Sequence, residues 1–138
     1  MARLLFVAFL LVPGVAAAAE KIDVSVRGKT LTLNLYRPPN GAPRGTIFMG
    51  SGDAGWVGLG VAMAEELAGR GYLVAGINVR QYLSSFTDGR SHVEVTDVPA
   101  DFRMFRDTLI KRAAFARPVV LSGMSEGAAL VVLAASDG

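Results

Sequence analysis

Cysteine is absent from the 138 residues of this chain, and histidine occurs only once, as His92. The lack of cysteine excludes disulfide bonds, thiolate metal sites, a catalytic cysteine and a lipid-modified N-terminal cysteine. Net charge is also small: 14 basic and 12 acidic residues give a formal net charge of only +2, and the basic residues are scattered along the sequence. We therefore predict no nucleic-acid partner, no metal site and no cofactor, and any nucleophile must be an oxygen or a nitrogen.

Apolar residues, in contrast, are plentiful. Hydrophobic residues make up 51% of the chain and charged residues 19%, which is the composition of a globular protein rather than a disordered one. The length favours a single domain. No internal repeat or low-complexity segment interrupts it.

The N-terminal segment has the three parts of a secretory signal peptide. Arg3 precedes an apolar run over residues 4–12, and small residues then lead to an Ala-x-Ala site before Glu20. A membrane anchor is the alternative, but the uncharged run is shorter than the ~20 residues that span a bilayer. We therefore predict a signal peptide over residues 1–19, a folded domain over residues 20–138, and location in the periplasm or outside the cell.

The rest of the chain predicts a hairpin followed by strands and helices in alternation. Apolar and polar residues alternate from Ile22 to Leu35, which predicts a two-stranded hairpin with one buried face. Short apolar runs predict further strands at 45–50, 72–77 and 118–121, and helices are predicted at 57–70, 97–114 and 126–135. This order favours an α/β fold, with a mainly parallel sheet and helices on both faces. Ligands bind such sheets at the carboxyl ends of the strands.

The first motif at those strand ends is Gly123-Met124-Ser125-Glu126-Gly127, which matches G-x-S-x-G between a predicted strand and a predicted helix. In that context the turn lifts the Ser125 hydroxyl above the sheet, and the two glycines clear space for it. The Glu126 N–H, at the helix start, can then stabilise the oxyanion of an acyl-transfer intermediate. A serine helix cap is the alternative. We predict that Ser125 is the catalytic nucleophile and Glu126 an oxyanion donor.

The second motif is the loop GSGDAG at residues 50–55, which literally satisfies G-x-G-x-x-G and so raises a dinucleotide-binding alternative. Against it, Asn78 stands where a ribose-binding acid is expected, and the Asp53 carboxylate would face a pyrophosphate. The other interpretation is that the Asp53 N–H is the second oxyanion donor, with Gly52 and Gly55 admitting the reacting carbonyl. A tight turn in which Asp53 caps the next helix is a third.

The element order, the glycine loop and the elbow at Ser125 resemble the first part of the α/β-hydrolase fold. The segments Ser-Gly-Asp-Ala-Gly-Trp at 51–56 and Arg-Gln-Tyr at 80–82 further resemble the VirJ/AcvB-type bacterial virulence proteins, over about residues 45–135. That resemblance implies an exported periplasmic protein that hydrolyses an ester through a serine.

The resemblance also bears on substrates and partners. Aminoacylated phospholipids are the implied substrates, so a small-molecule or lipid ester and peripheral contact with membrane lipid are expected. Gly52, Trp56 and Tyr82 are the residues that we expect to contact the substrate. The sequence carries no signal for an oligomeric state.

The general base is the part that the sequence does not supply. In this fold an Asp or Glu and then a His follow the nucleophile, whereas His92 precedes Ser125 and Asp137 follows it closely. Neither is assigned a catalytic role. We therefore expect that residues 20–138 form an incomplete, C-terminally truncated α/β-hydrolase domain, the N-terminal part of a longer enzyme. A non-catalytic periplasmic interaction protein linked to virulence or secretion is the alternative.

Overall fold

The computed structural model describes residues 19–112 and 115–136. The predicted signal peptide, apart from Ala19, and Asp137 lie outside these ranges. Within them the chain forms, in order, β1 (Glu20–Val26), β2 (Lys29–Tyr36), β3 (Thr46–Gly50), α1 (Leu59–Gly69), β4 (Leu73–Ile77), α2 (Val79–Phe86), α3 (Asp97–Lys111), β5 (Val119–Gly123) and α4 (Glu126–Ala135). No helix in the described part of the chain combines the length and apolar character needed to cross a membrane.

The strands form one sheet in the order β1-β2-β4-β3-β5. The predicted hairpin of β1 and β2 is present, and β2 also runs antiparallel to β4. Parallel pairing joins β4 to β3 and β3 to β5. Because β1 runs antiparallel to β2, it has the same direction as β4, β3 and β5. Among the described strands only β2 runs opposite to the others, so the sheet is mainly parallel with an N-terminal hairpin, as predicted.

Helices cover both faces of the sheet, as predicted. Successive residues of a strand point to opposite faces, and in β3 Phe48 packs into one apolar cluster while Ile47 and Met49 pack into another. The helical residues of the first cluster come from α2, α3 and α4: Val79, Tyr82, Phe86, Val98, Phe102, Phe105, Leu109, Leu130 and Val131. Those of the second are Ala64 and Ala68 of α1. Burial on both faces explains why β3 and β4 are apolar apart from Thr46.

Helix α2 is not among the helices predicted from the sequence. Asn78 is its N-cap and accepts a hydrogen bond from the Gln81 N–H at 3.1 Å. The spacing of Asn78 and Gln81 is that of a capping box, and Val79, Tyr82 and Phe86 have helical spacing and are buried. These signals could have predicted the helix.

A buried polar link joins the hairpin to α2 and α3. Asp101 is only 2% exposed, and the Arg27 guanidinium donates to both of its carboxylate oxygens, at 3.1 and 2.8 Å. The Tyr82 hydroxyl donates to the same carboxylate at 2.6 Å. Arg27 also lies 3.6 Å above the centre of the Phe86 ring. Because the three partners belong to three elements, this link fixes the hairpin turn against the helices.

Strand β5 lies at one edge of the described sheet. Its residues Val119 and Val120 are 39% and 44% exposed, whereas every residue of β3 and β4 is buried. Val132 on α4 is exposed as well. The described fold therefore presents an apolar edge beside the helix that follows Ser125.

Candidate active site

Ser125 lies in a sharp turn between β5 and α4. Its backbone angles are φ 52° and ψ −121°, a conformation that residues with a Cβ rarely adopt. The residue occupies the N-cap position of α4, but its side chain makes no capping hydrogen bond, and the residue is exposed. The helix-cap alternative is therefore wrong, and the turn has the strained form that the G-x-S-x-G context predicts.

The two glycines of this motif are required by close contacts. A Cβ at Gly123 would collide with the Gly127 carbonyl, and a Cβ at Gly127 would collide with the Gly50 and Ser51 carbonyl oxygens. The start of α4 thus lies directly against the carboxyl end of β3. Only residues without a side chain allow helix and strand to approach this closely.

The glycine loop at residues 51–55 lies beside Ser125. A Cβ built on Gly52 would be 3.7 Å from the Cβ of Ser125, and the Met124 N–H donates to the Gly50 carbonyl at 3.2 Å. The two motifs meet because β3 and β5 are parallel neighbours with Gly50 paired to Gly123, so that both turns leave the same edge of the sheet.

Two backbone N–H groups at this place have no partner within the described part of the chain. The Glu126 N–H is the first of α4, and the Asp53 N–H belongs to the glycine loop; neither donates a hydrogen bond to a described residue. The N-terminal end of α4 adds a partial positive charge. The N-cap of α1 is Gly58, so the alternative in which Asp53 caps that helix is wrong. The arrangement offers two candidate donors, one directly after Ser125 and one in the loop whose Gly52 lies beside Ser125.

Trp56 is partly buried against the sheet. Its indole N–H donates to the Tyr36 hydroxyl at 3.0 Å, and its ring fills the space in which a Cβ at Gly76 would stand. This packing holds the glycine loop to β2 and β4. The predicted contact of Trp56 with a substrate receives no support from it.

Tyr82 lies in α2, not in a loop, and is 1% exposed. Burial of the phenol, its hydrogen bond to Asp101 and the negative charge of that carboxylate raise the pKa of Tyr82 above its ordinary value of 10.0, while Arg27 opposes the shift. A neutral, buried tyrosine bonded to Asp101 is placed to hold the fold together. Its position does not support the predicted contact with a substrate.

His92 is 74% exposed and pairs with Glu94 at 2.7 Å. None of the described residues places a hydrogen-bonded base on the Ser125 hydroxyl. No group of three or more acidic or histidine side chains within the described ranges could hold a metal ion. The dinucleotide-binding alternative requires an acidic residue for the ribose at position 78. Asn78 stands there and caps α2 instead.

An apolar groove of about 260 Å³ begins next to the elbow. Glu126, which follows Ser125, lines it together with Leu130 and Leu133 of α4. Leu83 of α2 and Val95 line it as well. The sequence did not predict this groove, because it depends on the presence of α2.

No family model matches the chain, and no curated protein matches it. Solved structures do match. A cold-adapted esterase from an Arctic intertidal metagenomic library is 20% identical with a TM-score of 0.68, covering 86% of this chain and 56% of that one. The esterase Est2 of the Planctomycetes species Thermogutta terrifontis is 25% identical with a TM-score of 0.58, covering 83% and 42%. The esterase domain of a Rhodothermus marinus protein is 19% identical with a TM-score of 0.60, covering 83% and 43%.

These likenesses establish the fold, which is that of esterases of the α/β-hydrolase type. The chain spans about half the length of the solved esterases that it matches. None of the comparisons reaches the VirJ/AcvB-type proteins, so that resemblance stays a prediction.

Proposed function

We propose that this chain carries the nucleophile of a serine esterase. The observation that supports this most directly is the backbone of Ser125, whose φ of 52° stands at the strand-to-helix turn with the residue exposed. Strained conformations of this kind cluster at functional sites. Matched structures of esterase 2 from Thermogutta terrifontis, one phosphoramylated by tabun and one with propionate bound, support the same reaction class.

In the proposed reaction the Ser125 oxygen attacks the ester carbonyl carbon and its proton passes to a base. The carbonyl oxygen becomes an oxyanion, which the N–H groups of Glu126 and Asp53 hold. The alcohol then leaves with a proton, and water hydrolyses the acyl-enzyme to release the acid and regenerate the serine. No described residue in contact with Ser125 serves as the base, and a serine hydroxyl without one is a poor nucleophile.

The substrate that we propose is a small-molecule or lipid ester with an apolar acyl chain. The groove beside Ser125 supports this, because it is lined mainly by apolar side chains such as Leu83, Leu130 and Leu133. Apolar area buried there contributes roughly 25 cal/mol per Å² to binding. Peripheral contact with membrane lipid, and with it an aminoacylated phospholipid as substrate, rests on the family resemblance alone.

The test is hydrolysis of p-nitrophenyl acetate and p-nitrophenyl hexanoate by the full-length product of the gene. Ser125→Ala should lower kcat/KM by about 10³-fold or more. Ser136→Ala is the matched control: it removes a serine at the other end of α4, whose hydroxyl donates, among the described residues, to the Leu133 carbonyl. That control should stay within about twofold of the wild type.

A folded protein that shows no Ser125-dependent hydrolysis would contradict the esterase proposal and favour the non-catalytic interaction protein. Export is a further proposal, supported by residues 1–19 alone. It predicts that the protein recovered from the periplasm of a bacterial host begins near Glu20.

A further inference from the structure

Ser51, the first residue of the glycine loop, has a buried hydroxyl that the proposed reaction does not use. The residue is 1% exposed. Its hydroxyl oxygen accepts a hydrogen bond from the Val79 N–H at 3.0 Å, and its hydroxyl donates to the Gly52 carbonyl at 3.1 Å. A single side chain therefore ties the glycine loop to the start of α2.

The bond to the Gly52 carbonyl has a consequence for the next N–H group. The Gly52 carbonyl and the Asp53 N–H belong to the same planar peptide unit and point in opposite directions. The Gly52 carbonyl is held from one side by the Ser51 hydroxyl and by the Gly55 N–H at 3.0 Å. The direction of the Asp53 N–H is thereby fixed away from those two donors.

We propose that Ser51 is a positioning residue, which orients the Asp53 N–H toward the oxyanion that forms on Ser125. The inference rests on the proposed function. Ser51 itself does not touch the substrate; it acts through the Gly52–Asp53 peptide, which lies beside Ser125. Preorganised donors of this kind stabilise the transition state more than the bound substrate.

The chain offers a matched control at the other end of the same strand. Thr46 begins β3, is 0% exposed, and its hydroxyl donates to the Ala116 carbonyl at 2.8 Å and accepts from the Ala116 N–H at 2.9 Å. Replacing Thr46 therefore removes the same kind of buried hydrogen-bond pair as replacing Ser51. Thr46 lies at the end of β3 that is far from Ser125. Thr46→Val separates loss of stability from loss of loop position.

The first measurement is ester hydrolysis by the protein as its gene encodes it. Ser51→Ala should lower kcat by about 10- to 100-fold and leave KM within about twofold. Thr46→Val should lower the melting temperature but leave kcat within about twofold. Ser51→Cys has a side chain of similar size with a weaker hydrogen-bond donor. It should fold, and its kcat should fall less than that of Ser51→Ala. A kcat of Ser51→Ala within twofold of the wild type would overturn the proposal.

The second measurement does not depend on catalysis. Hydrogen exchange of the Gly55 N–H, followed by NMR, should be about tenfold or more faster in Ser51→Ala than in the wild type, and unchanged in Thr46→Val. The reason is that the Gly52 carbonyl, which accepts this N–H, loses the Ser51 hydroxyl that also holds it in place. Unchanged exchange in Ser51→Ala would overturn the positioning role. Absence of hydrolysis in the wild type would instead defeat the proposed function, and the exchange result would still decide the role of Ser51.

Discussion

At the scale of single residues, the backbone of Ser125 is the feature on which the site depends. A residue with a Cβ held at φ 52° and ψ −121° costs about 1–3 kcal/mol, and the packing of Gly127 against the Gly50 and Ser51 carbonyls holds the turn in that form. The surrounding fold thus holds a strained backbone at the residue whose hydroxyl we propose to be the nucleophile.

This strain can be measured by comparing two substitutions at one position. Ser125→Ala retains a Cβ and the strain, whereas Ser125→Gly removes both. We expect Ser125→Gly to be more stable than Ser125→Ala by about 1 kcal/mol in urea denaturation, because relief of strain exceeds the entropy cost of glycine. An alanine variant as stable as the glycine variant, or more so, would show that the turn is relaxed in solution.

At the scale of elements, the contact of α2 and α3 with the hairpin turn organises the side of the sheet that carries the groove. Asp101 of α3 accepts from Arg27 and from Tyr82 of α2, and burial together with that carboxylate raises the pKa of Tyr82. Because α2 begins at the Val79 N–H that bonds to Ser51, its position also bears on the glycine loop.

Tyr82→Phe tests this link by removing only the hydroxyl. A hydrogen bond to a charged group contributes about 1.5–3 kcal/mol, so we expect a loss of that order at pH 7. Since the pKa of Tyr82 is raised on folding, its contribution is fully present below the ordinary value of 10.0 and is lost as the pH rises further. The stability of the wild type should therefore fall more steeply above pH 10 than that of Tyr82→Phe. Parallel pH profiles of the two proteins would contradict this account.

Local pattern predicted most elements but not the order of the strands in the sheet. Alternation gave the hairpin, unbroken apolar runs gave β3, β4 and β5, and the predicted α4 at 126–135 agrees with the structure. The antiparallel entry of β2 beside β4 is a tertiary contact, which periodicity does not encode. Trp56 and Tyr82 show the same limit, since an aromatic residue near a motif gives no local sign of whether it packs inward or faces a ligand.

At the scale of the whole molecule, the described sheet has one apolar edge. Val119 and Val120 on β5 are substantially exposed, and strand edges of this kind pair readily with other chains. The β5 edge therefore bears on whether the 138-residue chain associates with other chains in solution.

Val120→Lys tests the edge. A lysine on an exposed strand edge opposes pairing with another strand, so we expect it to reduce self-association of the 138-residue chain and to change the melting temperature little. Light scattering at increasing protein concentration measures this, with Thr30→Lys on the exposed end of β2 as the control. Equal association of Val120→Lys and the wild type would show that β5 is not the site of contact.

The measurement that tests the central claim most directly is labelling with a fluorophosphonate probe, followed by peptide mapping of the protein as its gene encodes it. The probe forms a covalent bond only with an activated nucleophile. We predict one adduct, on the peptide that contains Ser125, and its loss in Ser125→Ala but not in Ser136→Ala. An adduct on any other serine, or none on a folded protein, would contradict the assignment of Ser125 as the nucleophile.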